Sequence, residues 1–184
     1  MAPQPVVRPS VTWYFSGMPR RSPSRKSRYW TIIALIIATH GLAADLPLIP
    51  FGSTWKYLDN GSNQGTAWRA NAFNDAAWPA GPAELGYGDG DEATVVSYGP
   101  NASAKYVTTY FRKTITIADP TAFAGYAMRI HRDDGVIVYV NGTEVLRQNF
   151  SQGTISSSAL AYQAVSTSEE GQLLQLLLTP AHFT

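Results

Sequence analysis

The chain has 184 residues, 45% of them apolar, a formal net charge of +1 and no cysteine. This length suits one domain once a leader is subtracted and is short for two cores, while the missing cysteines exclude disulfides, thiolate metal sites and thiol catalysis. The charge is unevenly spread: Arg8, Arg20, Arg21, Arg25, Lys26 and Arg28 all precede the first apolar run, so the rest of the chain is acidic. It has no basic stripe to neutralise a phosphate backbone, which argues against nucleic acid as a partner.

Residues 30–38 (WTIIALIIA) follow that basic stretch, and Gly41, Leu42, Ala43 and Ala44 follow the run. Basic residues, a short apolar core and small residues at the expected cleavage point form the layout of a signal peptide. Region 1–43 is therefore expected to be an export segment, with Met18 as the start that gives a leader of ordinary length. Arg20-Arg21 lies too far upstream of the apolar run, without a following apolar residue, to read as a twin-arginine signal. The run is too short to cross a hydrocarbon core of about 30 Å as a helix. The expected product is secreted, periplasmic or extracellular, with a mature end near Ala44 or Asp45 and no membrane contact after cleavage; a retained anchor is the alternative.

Residues 44–52, with Pro47 and Pro50, read as an extended linker to a module over residues 53–184. Glycine, proline, asparagine and serine then recur between short β-prone runs, the rhythm of an all-β domain. Residues 71–78 suggest one helical turn capped by Asn74 or Asp75 and closed by Trp78. Residues 106–117 (YVTTYFRKTITI) are β-branched and aromatic with alternation at the end, which predicts a strand with one buried face. Asp119-Pro120 stops it, and residues 126–131 (YAMRIH) resume the alternation. Asn141-Gly142 between VIVYV and TEVL predicts a hairpin, since a type I′ turn needs positive φ at both central residues. Residues 172–178 predict a further strand, followed by a short turn at 180–183.

In order, WRANAFNDAAW (residues 68–78), LGYGDGDE (85–92), TYFRK (109–113) and RDDGVIVYVNG (132–142) resemble the galactose-binding-like jelly roll. The likeness is to the sugar-binding domain of family 2 glycoside hydrolases and to accessory modules of secreted bacterial phosphoesterases. It implies a jelly-roll β-sandwich in which Trp68, Phe73, Asp75 and Trp78 pack a corner, TYFRK starts an inner strand, and RDDG and VNG frame a hairpin. Asn74-Asp75 stands where the pattern often has two aspartates. Modules of the resembled type continue beyond a segment like residues 180–183 into another interior strand, so the sandwich is expected to lack its last strand or strands. That would uncover Val136, Val138 and the leucines at 173, 174 and 176–178, unless residues 159–165 take the vacant place.

Asp89, Asp91 and Glu92 sit in a glycine-rich loop, a flexible set of hard oxygen ligands that suits structural calcium. The glycine and glutamate that complete a helix-loop-helix calcium site are missing. Asp133 and Asp134 are adjacent, so on a strand they would face opposite ways and would not serve one glycosidic bond. His131 and His182, the histidines that remain once the export segment is removed, lie in no nucleophile motif, and no catalytic residue is expected. Sugar binding needs an aromatic face and nearby polar groups; Trp55, Tyr87, Tyr98 and Tyr106 supply the rings, and Asn101 and Arg132, with Asp89, the polar groups. The expectation is a non-catalytic carbohydrate-binding or accessory module of a larger secreted hydrolase. Its partners would be a saccharide or cell-surface glycan and a downstream catalytic domain. The alternatives are a structural or adhesion spacer without a ligand, and the leading fragment of a secreted phosphoesterase or glycosidase.

Overall fold

The computed structural model describes residues 10–16, 34–39, 46–88, 90–166, 169 and 171–183, the first two segments by their backbone. The architecture is all-β, with short 3-10 turns at Ala67–Arg69, Pro120–Ala122 and Pro180–Phe183. In chain order the strands are β1 (Ser10–Ser16), β2 (Ala34–Thr39), β3 (Leu46–Ile49), β4 (Thr54–Leu58), β5 (Ala80–Pro82) and β6 (Leu85–Gly86). They continue as β7 (Thr94–Val95), β8 (Thr108–Thr114), β9 (Gly125–Ile130), β10 (Gly135–Val140), β11 (Thr143–Gln148) and β12 (Leu174–Leu178). A six-stranded sheet runs β11-β10-β1-β8-β4-β5, a four-stranded sheet runs β12-β9-β2-β3, and β6 and β7 form a short parallel pair.

The two larger sheets share one core. Trp55, Phe111, Val136, Val138 and Val140 come from the first, and Ile49, Tyr126, Met128, Ile130 and Leu178 from the second. The other face of the six-stranded sheet is covered as well, because Trp68, Trp78 and Phe150 close over Tyr110, Ile137 and Tyr139. Every residue of β10 is buried for that reason. A strand covered on both faces reads as a continuous apolar run rather than an alternating one, which is what GVIVYV is.

The Asn141-Gly142 hairpin forms as expected, with φ of 51° and 81° at its central residues. Residues 71–78 hold no helical turn; the nearest one lies earlier, at Ala67–Arg69. Asn74 instead closes a non-helical turn, its carboxamide oxygen accepting from the Ala76 N–H at 3.0 Å. Asp119 caps the next turn through the Thr121 N–H at 2.8 Å, so β8 and β9 stay separate strands.

The outer edge of the leucine strand β12 has no neighbour among the described strands. The place in the sheet beside β10, expected to be vacant, is filled, and not by residues 159–165. It holds β1, antiparallel to β10 on one side and to β8 on the other. Val11, Trp13 and Phe15 stand in register with Val140, Val138 and Val136, so the apolar alternation of VTWYF matches the rows of its neighbour. β2 does the same in the second sheet, between β9 and β3. Both strands fall within residues 1–43, the stretch that the sequence suggests is an export segment.

Candidate functional site

The corner motif is a structural assembly centred on Arg112. This side chain is 1% exposed, and its three nitrogens donate to the Asp75 carboxylate at 2.9 Å, the Trp68 carbonyl and the Ala70 carbonyl. Phe73 lies 5.1 Å from the guanidinium, and Trp68 meets Tyr110 edge-on at 4.9 Å. A charge this deep persists only when paired and hydrogen-bonded, which explains why TYFRK and the aspartate of the corner occur together.

Of the residues expected to bind sugar, Tyr87 and Tyr98 converge. Their ring centroids are 5.1 Å apart, and the Lys105 ammonium lies 4.8 Å from the first and 5.4 Å from the second. Tyr87 is 6% exposed and braces the pair from behind, whereas Tyr98 is 39% exposed and presents a ring to solvent. Lys105 also feels Asp133 and Asp134; burial pulls its pKa down and the two carboxylates oppose that pull. The sequence reading missed Lys105, because nothing in the ASAKY segment signals that its loop folds onto residues 87, 98, 133 and 134.

Asp134 sits at φ 53°, a left-handed conformation that aspartate tolerates better than most residues, and so turns the chain between β9 and β10. Burial raises its carboxyl pKa, against the Val165 N–H at 3.0 Å and the charges of Arg132 and Lys105. Arg132 donates to the Asp134 carbonyl at 3.0 Å, and Asn149 donates to the same oxygen at 3.1 Å. The Asp133 carboxylate accepts the Asp134 N–H at 2.8 Å. With both carboxylates buried and tied to backbone amides, the pair holds the turn rather than flanking an open cleft.

The other expected site residues are placed differently. Trp55 is 1% exposed, because strand alternation in β4 turns it into the shared core. Tyr106 lies over Gly61 and Gly99, so closely that a Cβ on Gly61 would come within 2.5 Å of its ring. The Asn101 carboxamide oxygen accepts the Ser103 N–H at 2.9 Å, and the residue is exposed. In the expected calcium loop, Asp89 lies outside the described residues, Asp91 is exposed, and the Glu92 carboxylate accepts the Gly90 N–H at 3.0 Å. Among the described residues, no three histidine, aspartate or glutamate side chains come together as a metal centre would need.

A concavity of about 310 Å³ opens where the β4–β8 ladder ends at Lys56 and Arg112. Lys56 donates to the Trp78 carbonyl at 2.9 Å and Lys113 to the Thr54 carbonyl at 2.8 Å. Burial lowers the Lys113 pKa. Lys56, Arg112 and Lys113 line it together with Asp75, which pairs with Arg112. The chain matches no protein-family model, and no curated protein or solved structure matches it.

Proposed function

We propose that this chain is a non-catalytic accessory module of the galactose-binding-like jelly-roll type that binds a neutral saccharide at Tyr98. The observation that carries the reading is the Tyr87–Tyr98 pair, with one ring buried, the other half open and the Lys105 ammonium against both. A sugar stacks its apolar face on such a ring while nearby amide and charged groups fix its hydroxyls. Asn101 and Lys105 belong to the same loop as Tyr98, and Arg132 stands beside Asp133 and Asp134, whose charges Lys105 feels. The basic stretch and apolar run of residues 1–43 support delivery across a membrane. A chain processed near Ala44 would lose β1 and β2, so the fold described above belongs to the unprocessed chain.

Retardation of the protein in gels containing different polysaccharides tests the reading. At least one neutral polysaccharide should slow the parent, and Tyr98→Ala should run free while still folded. A parent that migrates unretarded on every glycan moves the assignment to a spacer without a ligand. The burial of Trp55 and Tyr87 favours that second reading, since both rings contribute to packing.

A further inference from the structure

The cavity of about 310 Å³ beside Asp75 takes its shape from a parting of strands. β4 pairs with β8 only as far as Lys56 opposite Arg112; beyond that point Thr54 and Trp55 pair with Pro82 and Gly81 of β5. β8 continues past Arg112 along β1, with Lys113 and Thr114 opposite Val11 and Ser10. Lys56 and Arg112 are in register and share one face of the sheet, whereas Lys113 belongs to the other by alternation. The gap between the parted strands therefore brings cations from both faces to one cavity.

The charge of that lining is unbalanced. Asp75 is its one carboxylate, and Arg112 pairs with it at 2.9 Å, so Lys56 and Lys113 have no counter-ion among the described residues. Residues 1–44 contain no aspartate or glutamate, so the segments that flank β1 and β2 bring none. Each ammonium gives one hydrogen bond to a backbone carbonyl and has further N–H groups to give. Both side chains are half-buried, and burial lowers the Lys113 pKa. A partly desolvated cation without a counter-charge is costly, and an anion entering beside it would offset that cost.

We propose that this cavity is a second binding site, which takes the phosphate or carboxylate group of a small organic anion between Lys56 and Lys113. Ammonium groups bind such oxyanions through charge-assisted hydrogen bonds. Arg112, held by Asp75 and by the Trp68 and Ala70 carbonyls, adds fixed positive charge at the floor. Thr54 and Thr114 are exposed at the mouth and offer hydroxyls to the rest of the ligand. The volume stands at the lower end of the roughly 300–1,000 Å³ of small-molecule sites, which suits an anion of monosaccharide size better than a bare ion. The site is separate from Tyr98, whose lysine is Lys105.

Calorimetric titration of the full chain at constant ionic strength tests the proposal with inorganic phosphate, glucose 1-phosphate and glucuronate. At least one of the two sugar anions should bind saturably and more tightly than inorganic phosphate, and the tighter of the two names the group that the site prefers. Lys56→Gln and Lys113→Gln should each weaken that binding about tenfold, the weight of a hydrogen bond to a charged group. No saturable binding of any probe, inorganic phosphate binding tightest, or folded variants that bind as the parent does would overturn the proposal. Should either variant fail to fold, reductive methylation of the parent decides. The tightest probe should protect Lys56 and Lys113 and leave Lys105 reactive; protection of no lysine, or of Lys105 as strongly as the other two, would contradict the site.

Discussion

Asp134 shows how one residue can cost stability and still be kept. Burial raises its carboxyl pKa, so the folded chain holds the proton more tightly than the unfolded chain does. A raised carboxyl pKa means that stability is greatest below the unfolded value of about 3.9 and falls as pH rises through the folded value. Asn at this position keeps an oxygen for the Val165 N–H and tolerates φ of 53°, so Asp134→Asn should melt above the parent at pH 7. The difference should shrink on acidification and vanish once the parent carboxyl is protonated in both states, as thermal melts across pH would show. An advantage for Asn that persisted or grew at low pH would mean that the carboxylate is not what destabilises the parent. That RDDG turns the chain was legible from aspartate followed by glycine; the raised pKa was not, because it comes from burial that only the fold creates, against the opposing pull of Val165 and Lys105 from distant segments.

At the scale of elements, the hairpin is the most local feature of the fold and the most readable. Gly142 has φ of 81°, and a Cβ there would meet only the Arg69 carbonyl at an ordinary 3.6 Å, so the cost of substitution is conformational. Gly142→Ala should lower stability by about 1–2 kcal/mol in denaturant unfolding, the penalty of a left-handed L-residue. A neutral effect would mean that the turn relaxes to another type. β8, β9 and β12 were likewise visible as β-prone runs, to within three residues of their ends. Trp55 was misplaced for a physical reason: alternation in TWKYL shows that Trp55 and Lys56 face opposite ways, but not which face is the core. Pairing of β4 with β5 and β8 decides that, and both partners are remote in sequence. The same holds for Tyr98, whose neighbours Tyr87 and Lys105 come from separate loops.

At the scale of the molecule, β1 and β2 are interior strands, one in each large sheet, and nothing local says which strands they pair with. Residues 34–39 are apolar throughout most of their length, a pattern shared by an export segment and by a strand buried on both faces. Amide exchange of the unprocessed chain should therefore show slow exchange in residues 11–15 and 35–38, comparable with β8 and β10. Rapid exchange there, with β10 deprotected on its β1 side, would leave those residues outside the sheets. The resemblance to the galactose-binding-like fold covered the corner, TYFRK and the hairpin, and the Arg112–Asp75 contact gives two of those pieces a shared physical cause. Function was the least legible, because the sequence holds many aromatics and only folding decides that Tyr98 stays open while Trp55 and Tyr87 close. Saccharide binding is therefore best tested at that ring, by titrating a retarding saccharide into the parent and Tyr98→Ala and following affinity and thermal midpoint together. Affinity should fall about tenfold, on the order of 1.4 kcal/mol, with an unchanged midpoint; equal affinities in the two proteins would contradict binding at Tyr98.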